Sequence, residues 1–149
     1  NLLILKAFTK SYALAGVRVG YCLTADAALL SAMAACTQPW NVSLLAQAAG
    51  VAALREQDWL ARAKEILTCE RAYMTQELTQ LGFSVCPSEA NYLLFSAPVG
   101  LDAALLREGI AIRSCANYAG LGAGWYRTAV RLREENEALL DAMRRVTEE

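Results

Sequence analysis

The sequence predicts an α/β protein, in which short apolar strands alternate with longer helices rich in alanine and leucine. Strand-length apolar runs bounded by turn residues recur at Leu2–Phe8, Val17–Leu23, Phe83–Cys86, Tyr92–Phe95, Ile110–Arg113 and Tyr126–Leu132. Between them, residues 43–81 keep a helical composition with apolar positions at helical spacing. Hydrophobic residues make up 56% of the 149 and charged residues 19%, a balance that excludes disorder and suits a chain with a real core.

The elements follow in order. Leu2–Phe8 is expected as a buried strand, and Val17–Leu23 as a second one after a Ser-Tyr-Ala-Leu-Ala-Gly turn. Asp26–Cys36 is a helix ended by Pro39, and Asn41 or Ser43 caps the next helical tract. That tract is interrupted near Gly50 or around Gln57-Asp58. Trp59, Ala63, Ile66, Leu67, Tyr73, Met74, Leu78 and Leu81 form its apolar stripe, with Arg62, Glu65, Glu70 and Glu77 between them. This reads as an amphipathic helix packed on a sheet, with Gly82 as its C-cap. Two short strands then flank the turn Pro87-Ser88-Glu89-Ala90-Asn91. A helix over Leu101–Glu108 closes at Gly109, a strand spans Ile110–Arg113, and Asn117–Gly124 is a glycine-rich loop. Tyr126–Leu132 is the last strand and Glu134–Val146 the last helix. The segment Gln38–Ser43 is the expected hinge, dividing the chain into 1–38 and 39–149. Because an apolar run begins directly after Asn1, the chain is expected to lack an N-terminal portion.

Composition removes several classes of function. The net charge of -1 offers nothing to nucleic acid or to an anionic membrane surface. No stretch approaches the length of apolar sequence that spans a bilayer, and Lys6 and Lys10 interrupt any secretory pattern at the start. Five cysteines in no CxxC spacing argue against a disulfide framework or structural zinc and favour a reducing cytoplasm. The absence of histidine rules out histidine triads and dyads, so acid/base chemistry falls to lysine, tyrosine, cysteine or carboxylate.

Residues 8–21 carry the chemistry. Lys10 directly follows an apolar strand, and desolvation there would favour the neutral amine that attacks an aldehyde. Arg18 offers a fork of donors suited to a phosphate, Thr9 adds a hydroxyl, and Gly16 and Gly20 keep backbone close by. An amine for an aldehyde, with an arginine and a hydroxyl for a phosphate, is a pair of anchors for pyridoxal 5'-phosphate (PLP).

Thr9-Lys10 followed by Gly16-Val17-Arg18-Val19-Gly20-Tyr21 resembles the Ser/Thr-Lys-x-x-x-x-x-Gly-x-Arg-x-Gly-Tyr motif of the fold-type I, class I/II PLP-dependent aminotransferase family. The resemblance extends through Pro39-Trp40-Asn41-Val42, Pro87-Ser88-Glu89-Ala90-Asn91-Tyr92, and Tyr126-Arg127 to Asn136. It implies the C-terminal part of an aminotransferase fold: strands of a truncated large domain, then a small domain with a short, mainly antiparallel sheet covered by helices. Carried over by that resemblance, Lys10 is the catalytic lysine that holds PLP covalently. Thr9 and Arg18 bind the cofactor, Arg127 grips the substrate α-carboxylate, and Arg113 binds a substrate phosphate. Alternation alone leaves Arg131 open beside Arg127, since both fall on one face of the expected strand.

Two branches of the family act on phosphorylated amino compounds, L-threonine-O-3-phosphate decarboxylases and histidinol-phosphate aminotransferases. Ile112-Arg113-Ser114-Cys115-Ala116-Asn117-Tyr118-Ala119-Gly120-Leu121-Gly122 resembles the decarboxylase, as do Thr9 and Trp40. Ala15 and Ser43 fit the aminotransferase at least as well. The implied parent is a cytoplasmic homodimer acting on a phosphorylated amino acid, with decarboxylation to aminopropanol phosphate in cobalamin biosynthesis as the leading expectation. The alternative of another class is a non-catalytic fragment or binding module. The family's ring-stacking aromatic, phosphate-loop donors and ring-nitrogen aspartate are absent from the 149 residues, so the chain alone is expected to bind PLP weakly or not at all. The same absence should leave apolar surface exposed around Leu2–Phe8 and Val17–Leu23.

Overall fold

The computed structural model describes residues 2–148, and the chain divides into two compact units, 1–63 and 64–149.

In the first unit, β1 (Ile4–Ala7) pairs antiparallel with β2 (Gly20–Leu23), Ile4 opposite Leu23 and Ala7 opposite Gly20. Gly20 is required by proximity, because a Cβ there would stand 2.7 Å from the Lys6 carbonyl oxygen. Helix α1 (Ala27–Ala35) starts on Asp26, whose carboxylate accepts from the Leu29 amide, and α2 (Leu44–Arg55) starts on Ser43, whose hydroxyl accepts from the Ala46 amide. Gly50 does not interrupt α2. It lies buried on the helix face turned to the hairpin loop, where a Cβ would meet Phe8 and Val19 at 3.7–3.8 Å. The break falls instead at Glu56, before α3 (Gln57–Gln80).

The expectation of buried strands here is corrected. Every residue of β1 is exposed, Leu5 to 74%, and α1 buries none of its side chains. The exposed apolar surface expected around the two strands is present at Leu2, Ile4, Leu5, Tyr21 and Leu23, while Phe8 is buried. Trp40, in a left-handed backbone conformation, is 97% exposed.

The second unit holds the core. Strands β3 (Ser84–Val85), β4 (Tyr92–Ser96), β5 (Arg113–Ser114) and β6 (Trp125–Ala129) form one antiparallel sheet in the order β3-β4-β6-β5. Helices α4 (Leu101–Arg107) and α5 (Arg133–Glu148), with the C-terminal part of α3, supply the other side of the core. Met74, Leu78, Phe83, Leu93, Phe95, Leu105, Tyr126, Leu140 and Met143 are buried together there. Helix α3 stops at Gly82 (φ +81°), where the Phe83 amide donates to the Leu78 carbonyl and the Gly82 amide to that of Thr79. Gly109 (φ +79°) closes α4 by the same pair of bonds, to Leu105 and Leu106. The Tyr126 hydroxyl donates to the Pro98 carbonyl and accepts from the Gly100 amide, fixing the turn into α4. All the strands but β4 are shorter than expected; β5 shares only Arg113 with the expected Ile110–Arg113, and β6 ends at Ala129.

A carboxylate is buried beside this core. Glu70 is 8% exposed and shares the buried face of α3 with Met74 and Leu78. Arg133 donates to both of its oxygens at 2.9–3.1 Å, and the Asn136 amide nitrogen adds a bond at 2.9 Å. Asn136 also accepts from the Arg131 amide and donates to its carbonyl. The Arg133 guanidinium in turn lies 3.7 Å from the Tyr73 ring centre. These bonds to Arg133, and that to Asn136, hold the Glu70 carboxyl below its ordinary value against the opposing effect of burial.

A carboxylate with a lowered pKa in the fold stabilises it above the unfolded value and loses that contribution as pH falls through the folded one. Glu70→Gln is therefore expected to lower stability near pH 7 by about 1–3 kcal/mol, with the difference from the parent chain narrowing below roughly pH 4; denaturant titrations at both pH values read this directly. Gly20→Ala should remove hydrogen-exchange protection from the amides bonded between β1 and β2, while the amides of 64–149 keep theirs.

Candidate functional site

The sequence-predicted residues fall in two groups, one in each compact unit. Thr9, Lys10 and Arg18 lie on the loop between β1 and β2. The loop is organised by its backbone: the Ala13 amide donates to the Lys10 carbonyl, the Leu14 amide to that of Phe8, and the Phe8 amide to that of Val19. Ala13 and Arg18 adopt φ of +54° and +57°, a region costly for residues with a Cβ and held here by the surrounding turns. Lys10 is exposed and Thr9 half-buried. The expected desolvation of the Lys10 amine is thus absent from this chain, because nothing among the described residues covers the strand that precedes it. Arg18 donates from Nη1 to the Ala15 carbonyl at 3.0 Å, which turns its side chain back over the 15–18 turn. Gly16 has open space where a Cβ would stand, so close backbone approach is carried by Gly20 alone. The Trp59 indole, expected in an apolar stripe, is half exposed and donates to the Ser11 carbonyl at 3.3 Å.

Arg113 and Arg127 come together in the second unit as direct cross-strand partners between β5 and β6. Their neighbours fix the side of the sheet: Tyr126 and Thr128 are buried, so Arg127 projects from the opposite face, and Arg113 opposite it shares that face. Tyr92 lies on the same face, its partner Ala129 being two residues from Arg127. The Arg127 guanidinium sits 4.7 Å from the Tyr92 ring centre. Among the described residues neither Arg113 nor Arg127 forms a salt bridge, whereas Arg71, Arg131, Arg133, Arg144 and Arg145 each do. Arg131 lies beyond the end of β6 and pairs with Glu135 at 2.6 Å. The strand-face equivalence of Arg127 and Arg131 expected from alternation therefore does not hold.

Sequence reasoning missed the Glu70 network and assigned Glu70 to the polar side of its helix. The spacing 70, 74, 78 places it in line with Met74 and Leu78, a signal that was available. Cys115 is buried, and its thiol faces the Arg113 carbonyl at 3.8 Å. Among the described residues there is no cluster of ligands able to hold a metal ion, and no helix is long and apolar enough to cross a membrane.

Among the described residues, the first unit thus carries an exposed amine and a forked cation on one loop, and the second carries two arginines without salt bridges on one sheet face. The chain belongs to the aminotransferase class I and II family, whose model matches residues 1–143. It is 40% identical to threonine-phosphate decarboxylase of Salmonella typhimurium, over 98% of this chain and 41% of that protein. Histidinol-phosphate aminotransferase 2 of Ralstonia nicotianae is also 40% identical, over 96% of this chain and 39% of that protein. The crystal structure of the histidinol-phosphate aminotransferase from Clostridium acetobutylicum matches with a TM-score of 0.93 at 30% identity, covering 99% of this chain and 46% of that one. The chain thus spans about two fifths of the length of the curated relatives it matches, and its mixed helical and antiparallel architecture is part of an aminotransferase fold. The histidinol-phosphate aminotransferase from Sinorhizobium meliloti, which matches with a TM-score of 0.84 at 24% identity over 99% of this chain and 41% of that one, was crystallised in complex with pyridoxal-5'-phosphate.

The donor set fits that cofactor in part: Lys10 has an exposed primary amine, Thr9 a hydroxyl, and Arg18 donors beyond the one spent on Ala15. If Arg127 is held for a ligand and Arg131 for the fold, substitutions separate them. Arg131→Ala should cost only about 0.3–0.5 kcal/mol in its helix-turn pair and leave anion binding intact. Arg127→Ala should leave the melting temperature near that of the parent and weaken binding of inorganic phosphate, measured by calorimetry.

Proposed function

We propose that this chain is part of a PLP-dependent enzyme acting on a phosphorylated amino acid, with decarboxylation of L-threonine O-3-phosphate as its reaction. The observation that carries the substrate class is the Arg113–Arg127 pair. Like charges directly opposite across a ladder destabilise a sheet, and no carboxylate among the described residues neutralises them. A ligand with two anionic groups removes that repulsion. In this reading Arg127 takes the α-carboxylate through a two-point fork, and Arg113 takes the side-chain phosphate.

Bound PLP supplies an aldehyde carbon and a ring that accepts an electron pair from the reacting carbon. Lys10 would hold that carbon through its amine, and the same amine, when free, would move a proton. Thr9 and Arg18 bind the cofactor phosphate. The angle at which Arg127 holds the carboxylate selects the bond that is cleaved, C–C for decarboxylation or C–H for amino transfer. The division at 38/39 separates the cofactor-anchoring segment from the segment carrying Arg113 and Arg127, and the parent enzyme is proposed to be a cytoplasmic homodimer.

Histidinol-phosphate transamination is the second reading, favoured by the equal identity to the Ralstonia nicotianae protein. Offering threonine phosphate to the whole enzyme separates the two: release of carbon dioxide is expected, and amino transfer to 2-oxoglutarate without carbon dioxide would overturn the decarboxylase. The 149-residue chain alone is expected to show no turnover and little PLP binding. Borohydride fixation of PLP onto Lys10 in this chain, read by peptide mass, would contradict that.

A further inference from the structure

We propose that Tyr92 is a positioning residue for Arg127, its ring holding the guanidinium in place beside Arg113; this rests on the reading of Arg127 as the carboxylate grip. A second arginine directly across the ladder pushes the Arg127 guanidinium away, and among the described residues no carboxylate holds it. The Tyr92 ring is the one partner described for it, at 4.7 Å from centre to Cζ. An aromatic face carries partial negative charge and attracts a cation without consuming its N–H donors. A carboxylate partner would engage those donors. The contrast lies within the same chain: Arg133 also stacks on a ring, that of Tyr73, but its fork is engaged by Glu70. Arg127 keeps its fork for a ligand.

The ring, not the hydroxyl, is the active part, since the Tyr92 hydroxyl makes no hydrogen bond among the described residues. The Tyr92 backbone is fixed independently of its side chain: its carbonyl accepts from the Ser88 hydroxyl at 2.8 Å, and β4 stays in register with β6. Flanking Leu93 is buried on the other face. A side-chain change at 92 therefore leaves the strand in place.

In the whole, PLP-loaded enzyme, Tyr92→Val is expected to raise KM for threonine phosphate roughly two- to fivefold, with the change in KM rather than kcat, and Tyr92→Phe to recover the wild-type KM. Wild-type KM in Y92V, alongside a raised KM in Arg127→Lys, would overturn the role of Tyr92 while keeping that of Arg127. An unchanged KM in Arg127→Lys would remove the reading of Arg127 and the proposal with it. A readout free of activity uses NMR of the 149-residue chain. The Arg127 Nε–H resonance, assigned by its loss in Arg127→Lys, is expected to show an upfield ring-current shift that disappears in Y92V. A random-coil position in the wild-type chain would overturn the proposal even if Y92V failed to fold.

Discussion

Glu70 is a carboxylate set in line with methionine and leucine on the inner face of a long helix, and its bonds to Arg133 and Asn136 are what the second unit is arranged around. A buried charge without partners would be strongly unfavourable. Arg133 at the first turn of α5 supplies the counter-charge, and Asn136 one turn on supplies the remaining donor while clamping the Arg131 backbone from both sides. The joint therefore fixes where β6 ends and α5 begins. Apolar packing alone tolerates sliding between helices; a bidentate pair with a third donor specifies one register.

The arginine-bearing face depends on that register. β6 leaves the sheet at Ala129 because the chain must reach Arg131 in the position where Asn136 holds it. With the turn fixed, the alternation back along β6 puts Tyr126 and Thr128 inside and Arg127 outside. The sheet's inner face thus packs the core, and its outer face presents Arg127 and Arg113.

Local rules made much of this legible in the sequence. Asp26, Ser43, Gly82 and Gly109 were all readable as helix ends because capping needs only neighbouring residues. The stretch from Lys10 to Arg18 was legible as the loop between two strands for a comparable reason: it is short and has its own turn chemistry. Long-range consequences were not readable. Gly50 looked like a helix breaker, but it makes room for Phe8, a partner far away in sequence. Glu70 was assigned to water because its neutralising arginine is 63 residues distant. Arg131 and Arg127 looked equivalent while the strand was thought to run through both, and only the end of β6 separates them. The burial of β1 was overestimated from its composition, since apolar residues report what a strand is suited to contact, and burial requires that the contact be supplied.

That last feature has a thermodynamic consequence. The β1–β2 ladder has two strands only, with no third strand on either edge among the described residues and with leucines open to solvent. A lone hairpin of this kind is marginally stable in water. The loop bearing Lys10 hangs from its ends, so the shape of the loop is only as well determined as the ladder. Any surface that covers the hairpin also selects the loop's conformation, and a ligand that favours the ordered loop tightens that covering by the same free energy. Covering of the hairpin and ordering of the loop that bears Lys10 are then one equilibrium observed at two places.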